Sequence, residues 1–334
     1  MSGALALLCY AIVVAWGAPA LLARMTGAGA SVRPGLTAWL SAMASALGAA
    51  ALAVALVAQA AAAGWPTLTL ALCHGVAGTE CTPQVYRSAL YSAGVAVLAV
   101  LLVSAGLVAL WRYGRRTQRA VTRTRLHARA ALMAGRELAG TGAVVLDDPR
   151  PVAYCVAGRP AAIVVSSGAL AVLDPPQLAA VLAHERAHLS GRHHVLATIT
   201  RGLAAALPGV PLFSQGADEV ARLAELAADH TAARFVGGRV LAAALLSIAT
   251  GTPVPGTATF RGTAFRGTAF HGGSPAGSSP AARGTLAAAA LAVPARVERL
   301  LDPPGRRAAT AAGLLLALVS AALIVTPAVM IAAG

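Results

Sequence analysis

The sequence predicts a mainly α membrane protein, with four transmembrane helices and one α+β domain lying outside the bilayer between the third and the fourth. Three observations predict it. The chain is 57% hydrophobic and only 11% charged over 334 residues, whereas an ordinary soluble domain carries about 25% charged residues. Four apolar stretches, roughly residues 4–23, 36–63, 89–111 and 308–332, are long enough for a hydrocarbon core that takes about 20 helical residues to cross. Most of the charge falls in the one segment that these stretches leave over, which divides the chain into residues 1–111, 112–307 and 308–334.

The first stretch lacks a basic leader, and Arg24 follows rather than precedes it, so it reads as a retained span and not a signal peptide. Arg24 and Arg33 flank the first loop, the second loop is almost uncharged, and Arg112, Arg115, Arg116 and Arg119 follow the third span. The positive-inside bias then places residues 112–307 in the cytoplasm and both ends of the chain outside the cell membrane. The same bias accounts for the net charge of +14, carried by 26 basic residues that are all Arg. Direct binding of nucleic acid is not expected. Cys9, Cys73, Cys81 and Cys155 form no CxxC pair, so a cysteine metal site is excluded, while Cys73 and Cys81 stand close enough to bridge or to remain two thiols.

Residues 117–139 read as a juxtamembrane helix whose Arg123, Arg125, Arg129 and Arg136 meet anionic lipid headgroups. Three β-prone runs follow, 143–146, 152–156 and 162–166, separated by turn residues. Asp174, Pro175 and Pro176 start a helix over 177–190. Further helices are expected at 195–207, 217–235 and 239–249. Residues 251–284, rich in Gly, Pro, Ser and Thr with a pentad echo, read as a flexible linker, with autocleavage or gating as the alternative.

The chemistry lies on the helix over 177–190. His184, Glu185, Arg186, Ala187 and His188 form an HExxH, in which i and i+4 project two imidazoles toward one metal. Zinc, one ion per chain, suits that geometry. Glu185 would stand beside the water that zinc activates and act as general base. A third protein ligand is then required, and Glu225 supplies it, with Asp229 on the same helix face at i+4 to accept the outward N–H of a ligating histidine, His184 first. Two His and one Glu leave a position for water, as a catalytic site needs. The plain alternative is a solvated helix face with an ordinary mix of Glu and Asp. His193, His194, His230 and His271 read as surface or helix-capping histidines, which leaves no candidate for stabilising an oxyanion.

The strand 162–166, the turn at Ser167 and Gly168, the HExxH helix and the later Glu225 to Asp229 together resemble the gluzincin core of HtpX-type and BlaR/MecR-type membrane peptidases. Three spans before the domain and one after it favour the BlaR/MecR type, and residues 296–301 resemble the RIxxL-like segment that closes such domains. The resemblance implies a cytoplasmic gluzincin-like metallopeptidase domain acting on a protein substrate, a BlaI/MecI-like winged-helix transcriptional repressor. It also implies that the strand holding Ile163, Val164 and Val165 is the cleft edge on which an extended substrate adds. HtpX-like quality control of membrane proteins and a non-catalytic membrane scaffold are the alternatives, and a homodimer is left open. The chain has no Lys and stops at Gly334, so neither an SxxK pair nor an external penicillin-binding domain is expected, and covalent β-lactam sensing is not implied.

Overall fold

The computed structural model describes residues 2–27, 32–77, 82–158, 160–256, 293–303 and 305–332. Cys81 and most of the expected linker fall outside them. The chain divides into two compact units, Met1–Thr117 with Ile199–Glu219 and Thr310–Gly334, and Gln118–Thr198 with Val220–Ala309.

The first unit is helical. Among its helices, α1 (Ser2–Gly27) and α2 (Val32–Ala77) pack through small residues, with Leu7 and Ala11 against Ala49 and Ala53. Short side chains let the two backbones approach closely where lipid offers no hydrophobic drive for association. The Tyr10 hydroxyl meets Ser45 Oγ at 2.8 Å and donates to the Leu323 carbonyl at 3.0 Å, so α10 (Arg306–Ala332) is tied to both. Four described helices, α1, α2, α3 (Pro83–Ala134) and α10, are long and apolar enough to cross a membrane. On the last two, Leu101, Leu110 and Leu318 are 62%, 66% and 68% exposed, an arrangement suited to hydrocarbon and costly in water. Both α2 and α3 outrun the expected spans. The 46 residues of α2 measure about 69 Å at 1.5 Å per residue, more than twice the hydrocarbon thickness.

The second unit is built on a four-stranded sheet of order β1-β2-β4-β3. Its strands are β1 (Arg136–Leu138), β2 (Ala143–Leu146), β3 (Ala153–Val156) and β4 (Ala162–Ser166). The pair β2–β4 is parallel; β1–β2 and β3–β4 are antiparallel. Strand β4 is buried along its whole length because both of its faces are covered. Val164 packs against Ala128 and Ala131 of α3, while Ile163 and Val165 pack against Leu182 of α5 (Pro175–Ser190). Burying each such Val or Ile contributes about 1.5–3 kcal/mol. An uninterrupted apolar run suits a strand covered on both faces, and β4 is central in the sheet.

Three expectations change here. Ile163, Val164 and Val165 are not an edge: β4 is hydrogen-bonded on one side to β2 and on the other to β3, so no substrate strand can add to it. The described edges are β1 and β3. Arg136 is not on a juxtamembrane helix, because α3 ends at Ala134 and Arg136 pairs with Val145 in β1. Gly135 makes that break possible, since a β-carbon there would stand 1.9 Å from Val144 Cγ1. Finally, Ser167 and Gly168 are not a simple turn but open α4 (Ser167–Val172), whose N-cap Ser166 accepts a hydrogen bond from the Ala169 amide.

The remaining helices of this unit include α8 (Gly238–Thr250), the C-terminal part of α7 (Pro211–Val236) and α9 (residues 293–301). Helix α6 (His193–Ala206) begins here. Ala180 and Val181 of α5 pack on Ala232, Leu241 and Ala244, so α5 is held between the sheet and the helices α7 and α8. Residues 251–256, the start of the expected linker, are anchored: Gln177 Nε2 donates to the Val254 carbonyl at 2.6 Å, and the Val254 backbone amide donates to Ser247 Oγ at 3.0 Å.

Candidate metal centre

Helix α5 carries the HExxH, and its start is strongly determined. Asp174 Oδ1 accepts from the Gln177 amide at 2.8 Å, Gln177 answers from N3, and Pro175 and Pro176 occupy the first helical positions, where a missing N–H costs nothing. With α5 clamped on both sides, its remaining face presents His184 and His188, whose Nε2 atoms lie 3.0 Å apart. Helix α7 brings Glu225 to them. Oε2 of Glu225 is 3.6 Å from His184 Nε2, and Oε1 is 3.4 Å from His188 Nε2. Among the described residues these three form the one cluster of His, Cys, Asp or Glu side chains close enough together to hold a metal ion.

The separations can be checked against the metal they would serve. Donors at about 2.0–2.1 Å around a tetrahedral ion stand roughly 3.3 Å from one another, and the 3.0 Å between the imidazole nitrogens and the 3.6 and 3.4 Å from them to the two Glu225 oxygens bracket that value. Two imidazoles and a carboxylate also match zinc in ligand softness. Glu225 keeps 34% of its side chain exposed, which leaves the cluster open to solvent on that side.

Asp229, one turn after Glu225 and 3% exposed, places Oδ1 3.0 Å from His184 Nδ1, though off the straight line of a full hydrogen bond. A residue that sequence reasoning left without a site role completes the group. Arg296 of α9 grips Asp229 with two hydrogen bonds of 2.6 Å, from Nε to Oδ2 and from a terminal amine to Oδ1, and its other amine lies 3.0 Å from Glu225 Oε2. No spacing rule relates positions 67 apart; the segment around Arg296 drew notice only through the resemblance.

Electrostatics follow from this packing. Burial pushes the Glu225 carboxyl up, but His184, Arg296 and His188 outweigh it and hold the group down at about 2. Asp229 is likewise lowered despite its burial, by Arg296 and then His184. Burial alone would lower His184, yet Asp229 and Glu225 raise it to about 9, so without a cation the imidazolium of His184 fills that place between two carboxylates. His188 goes the other way, to about 4, through burial that the Glu225 charge does not offset. Glu185, 8% exposed, is raised mainly by burial, against lowering by His184 and by the Cys155 thiol of β3, which donates to it. The other side of His188 meets His193, Nδ1 to Nδ1 at 3.0 Å. Sequence reasoning reaches neither Cys155, which strand pairing brings to the site, nor His193, whose position reads as that of a surface or helix-capping histidine.

Two comparisons bear on this site. The family model described as Peptidase family M48 matches residues 117–213, which include the sheet and the HExxH helix and end before Glu225. A curated protein called "Protease HtpX homolog", from Acidiphilium cryptum (strain JF-5), is 30% identical over 141 residues, 38% of this chain and 49% of the relative. The chain thus spans about half the length of that relative. No solved structure matches significantly. Both matches are to peptidases by their names.

Proposed function

We propose that the chain is a membrane-anchored zinc endopeptidase in which His184, His188 and Glu225 hold one zinc ion and Glu185 is the general base. The observation that carries it is the convergence of two imidazole nitrogens 3.0 Å apart with the Glu225 carboxylate, whose two oxygens lie 3.4 and 3.6 Å from them, beside a buried carboxylate.

Zinc bound there supplies Lewis acidity, polarising a carbonyl and lowering the pKa of a water. The chain's own residues do the rest. Glu185, whose burial raises its affinity for protons, accepts one from the attacking water and delivers it to the departing amine as the amide C–N bond breaks. Asp229 orients His184, and Arg296 keeps Asp229 and Glu225 ionised.

The substrate is a protein segment in extended form, and the edge that receives it is β3. Cys155 lies against Glu185, so the free side of β3 runs past the base. Pairing an extended chain with that edge would align successive peptide groups with the metal centre, as in other cases of strand addition.

The distribution of Arg residues supports a domain facing the cytoplasm with both ends of the chain outside. Two tasks suit the enzyme. Three apolar helices before the domain and one after it support cleavage of a BlaI/MecI-like repressor on a signal, and the HtpX-type relative supports turnover of membrane proteins. Glu185→Gln tests the chemistry: it retains about one zinc and loses proteolysis, whereas a wild-type chain without zinc overturns the reading. Comparing the cellular proteome with and without that substitution separates the tasks, one repressor fragment in the first case, many membrane-protein fragments in the second.

A further inference from the structure

A ligating imidazole has two nitrogens, and the one turned away from the metal needs a partner to fix which nitrogen carries the proton. For His184 that partner is Asp229. For His188 the sequence offers no carboxylate at a comparable place. What the fold provides is His193. With His188 Nε2 turned to His184 and Glu225, its Nδ1 lies 3.0 Å from His193 Nδ1, and the two rings meet edge to face, centroids 4.9 Å apart at 88°. His193 is 9% exposed, unlike the surface residue its position at the start of α6 suggested.

The backbone between α5 and α6 is shaped around this contact. Arg192, just before His193, has φ 51°, the only positive φ at a non-glycine residue among the described residues. A left-handed conformation there is unfavourable for a side chain such as Arg and persists only where the surroundings enforce it. Gly191 supplies the space: a β-carbon at that position would stand 2.5 Å from His193 Nε2 and 2.8 Å from Cδ2. Strained turn, missing side chain and aligned nitrogens all serve the placement of one imidazole.

We propose that His193 is a positioning residue for the metal centre, accepting the Nδ1–H of His188 and so fixing the tautomer that offers Nε2 to the ion. The proposal rests on the zinc-site reading above. It requires the proton of His193 on Nε2 and the lone pair on Nδ1. The two ligand histidines are then oriented by unequal acceptors, a carboxylate held by Arg296 for His184 and an imidazole for His188.

The test uses the full chain in detergent, stripped of metal and reloaded with zinc in competition with a chelator, and with cobalt(II) as a spectroscopic probe. His193→Phe keeps a ring but has no acceptor. His193→Asn places an oxygen on Cγ where Nδ1 was. The expected result is zinc affinity about 10–100-fold weaker in His193→Phe, with an altered visible cobalt spectrum, and recovery of both in His193→Asn. Wild-type affinity and spectrum in His193→Phe, or no recovery in His193→Asn, would overturn the proposal while leaving the zinc site standing. A wild-type chain that binds neither metal removes the zinc-site reading and this one with it.

Discussion

Arg296 and Asp229 form a buried, two-pronged ion pair, both hydrogen bonds 2.6 Å long, that fastens α9 to the helix carrying the third ligand. Such a pair need not add net stability over an apolar pair, but removing one partner strands the other charge. Arg296→Ala is therefore expected to destabilise the domain by about 3–5 kcal/mol, and Arg296→Lys by less, since the charge survives and only the fork is lost. Denaturant unfolding of the two variants checks this; an Arg296→Ala protein as stable as wild type would contradict it.

Replacing a metal ligand should exceed any outer substitution. Glu225→Ala and His188→Ala are expected to weaken zinc by more than the roughly 10–100-fold that losing an orienting partner brings. Equilibrium dialysis with a metal buffer reads the difference.

Acidity should act on the metal-free domain from both sides. His184 is raised from 6.5 to about 9, so its contribution to folding is complete below about 6.5 and disappears as the pH climbs through 9. His188 is lowered from 6.5 to about 4, so its contribution is present above 6.5 and is lost as the pH falls through 4. Glu225, lowered from 4.5 to about 2, adds a further loss below 4.5. Thermal unfolding of the stripped protein should accordingly show a maximum near pH 6.5. Zinc binding must displace the His184 proton, so its affinity should rise about tenfold per pH unit up to about 9 and then level off. A pH-independent affinity between 6 and 8 would refute the assignment of His184 as ligand.

Strand β3 yields a sharper test of substrate pairing than β4 does. The Ser166 amide bonds to the Val152 carbonyl, so by antiparallel alternation the N–H groups of Ala153 and Cys155 point away from β4. Ala153→Pro deletes one of those donors at the first residue of an edge strand, where proline is tolerated. Peptide cleavage should fall about tenfold through KM, with zinc content and melting temperature unchanged; unaltered KM would count against pairing at this edge.

Local rules made the helix start at Asp174, the i, i+4 pairing of His184 with His188 and of Glu225 with Asp229, and the β4 run all readable from the residues. What escaped depends on long-range assembly. Strand β1, with residues Arg136, Glu137 and Leu138, has no β-branched side chain and exists because β2 offers it an edge. The central place of β4 follows from sheet order, which a strand's own sequence does not encode. Arg296 and His193 reach the centre by tertiary packing and by a strained turn, and neither leaves a periodic trace.

The thiol of Cys155 has a practical consequence. Burial and the neighbouring Glu185 carboxylate push its pKa well above the ordinary cysteine range, so at neutral pH it stays protonated and sluggish toward electrophiles. Cys9 and Cys73 are exposed. Maleimide dyes or crosslinkers applied under mild conditions should therefore label Cys73, on α2 beyond the expected span at 36–63, before Cys155, and topology mapping by cysteine labelling can proceed with the candidate metal centre chemically untouched.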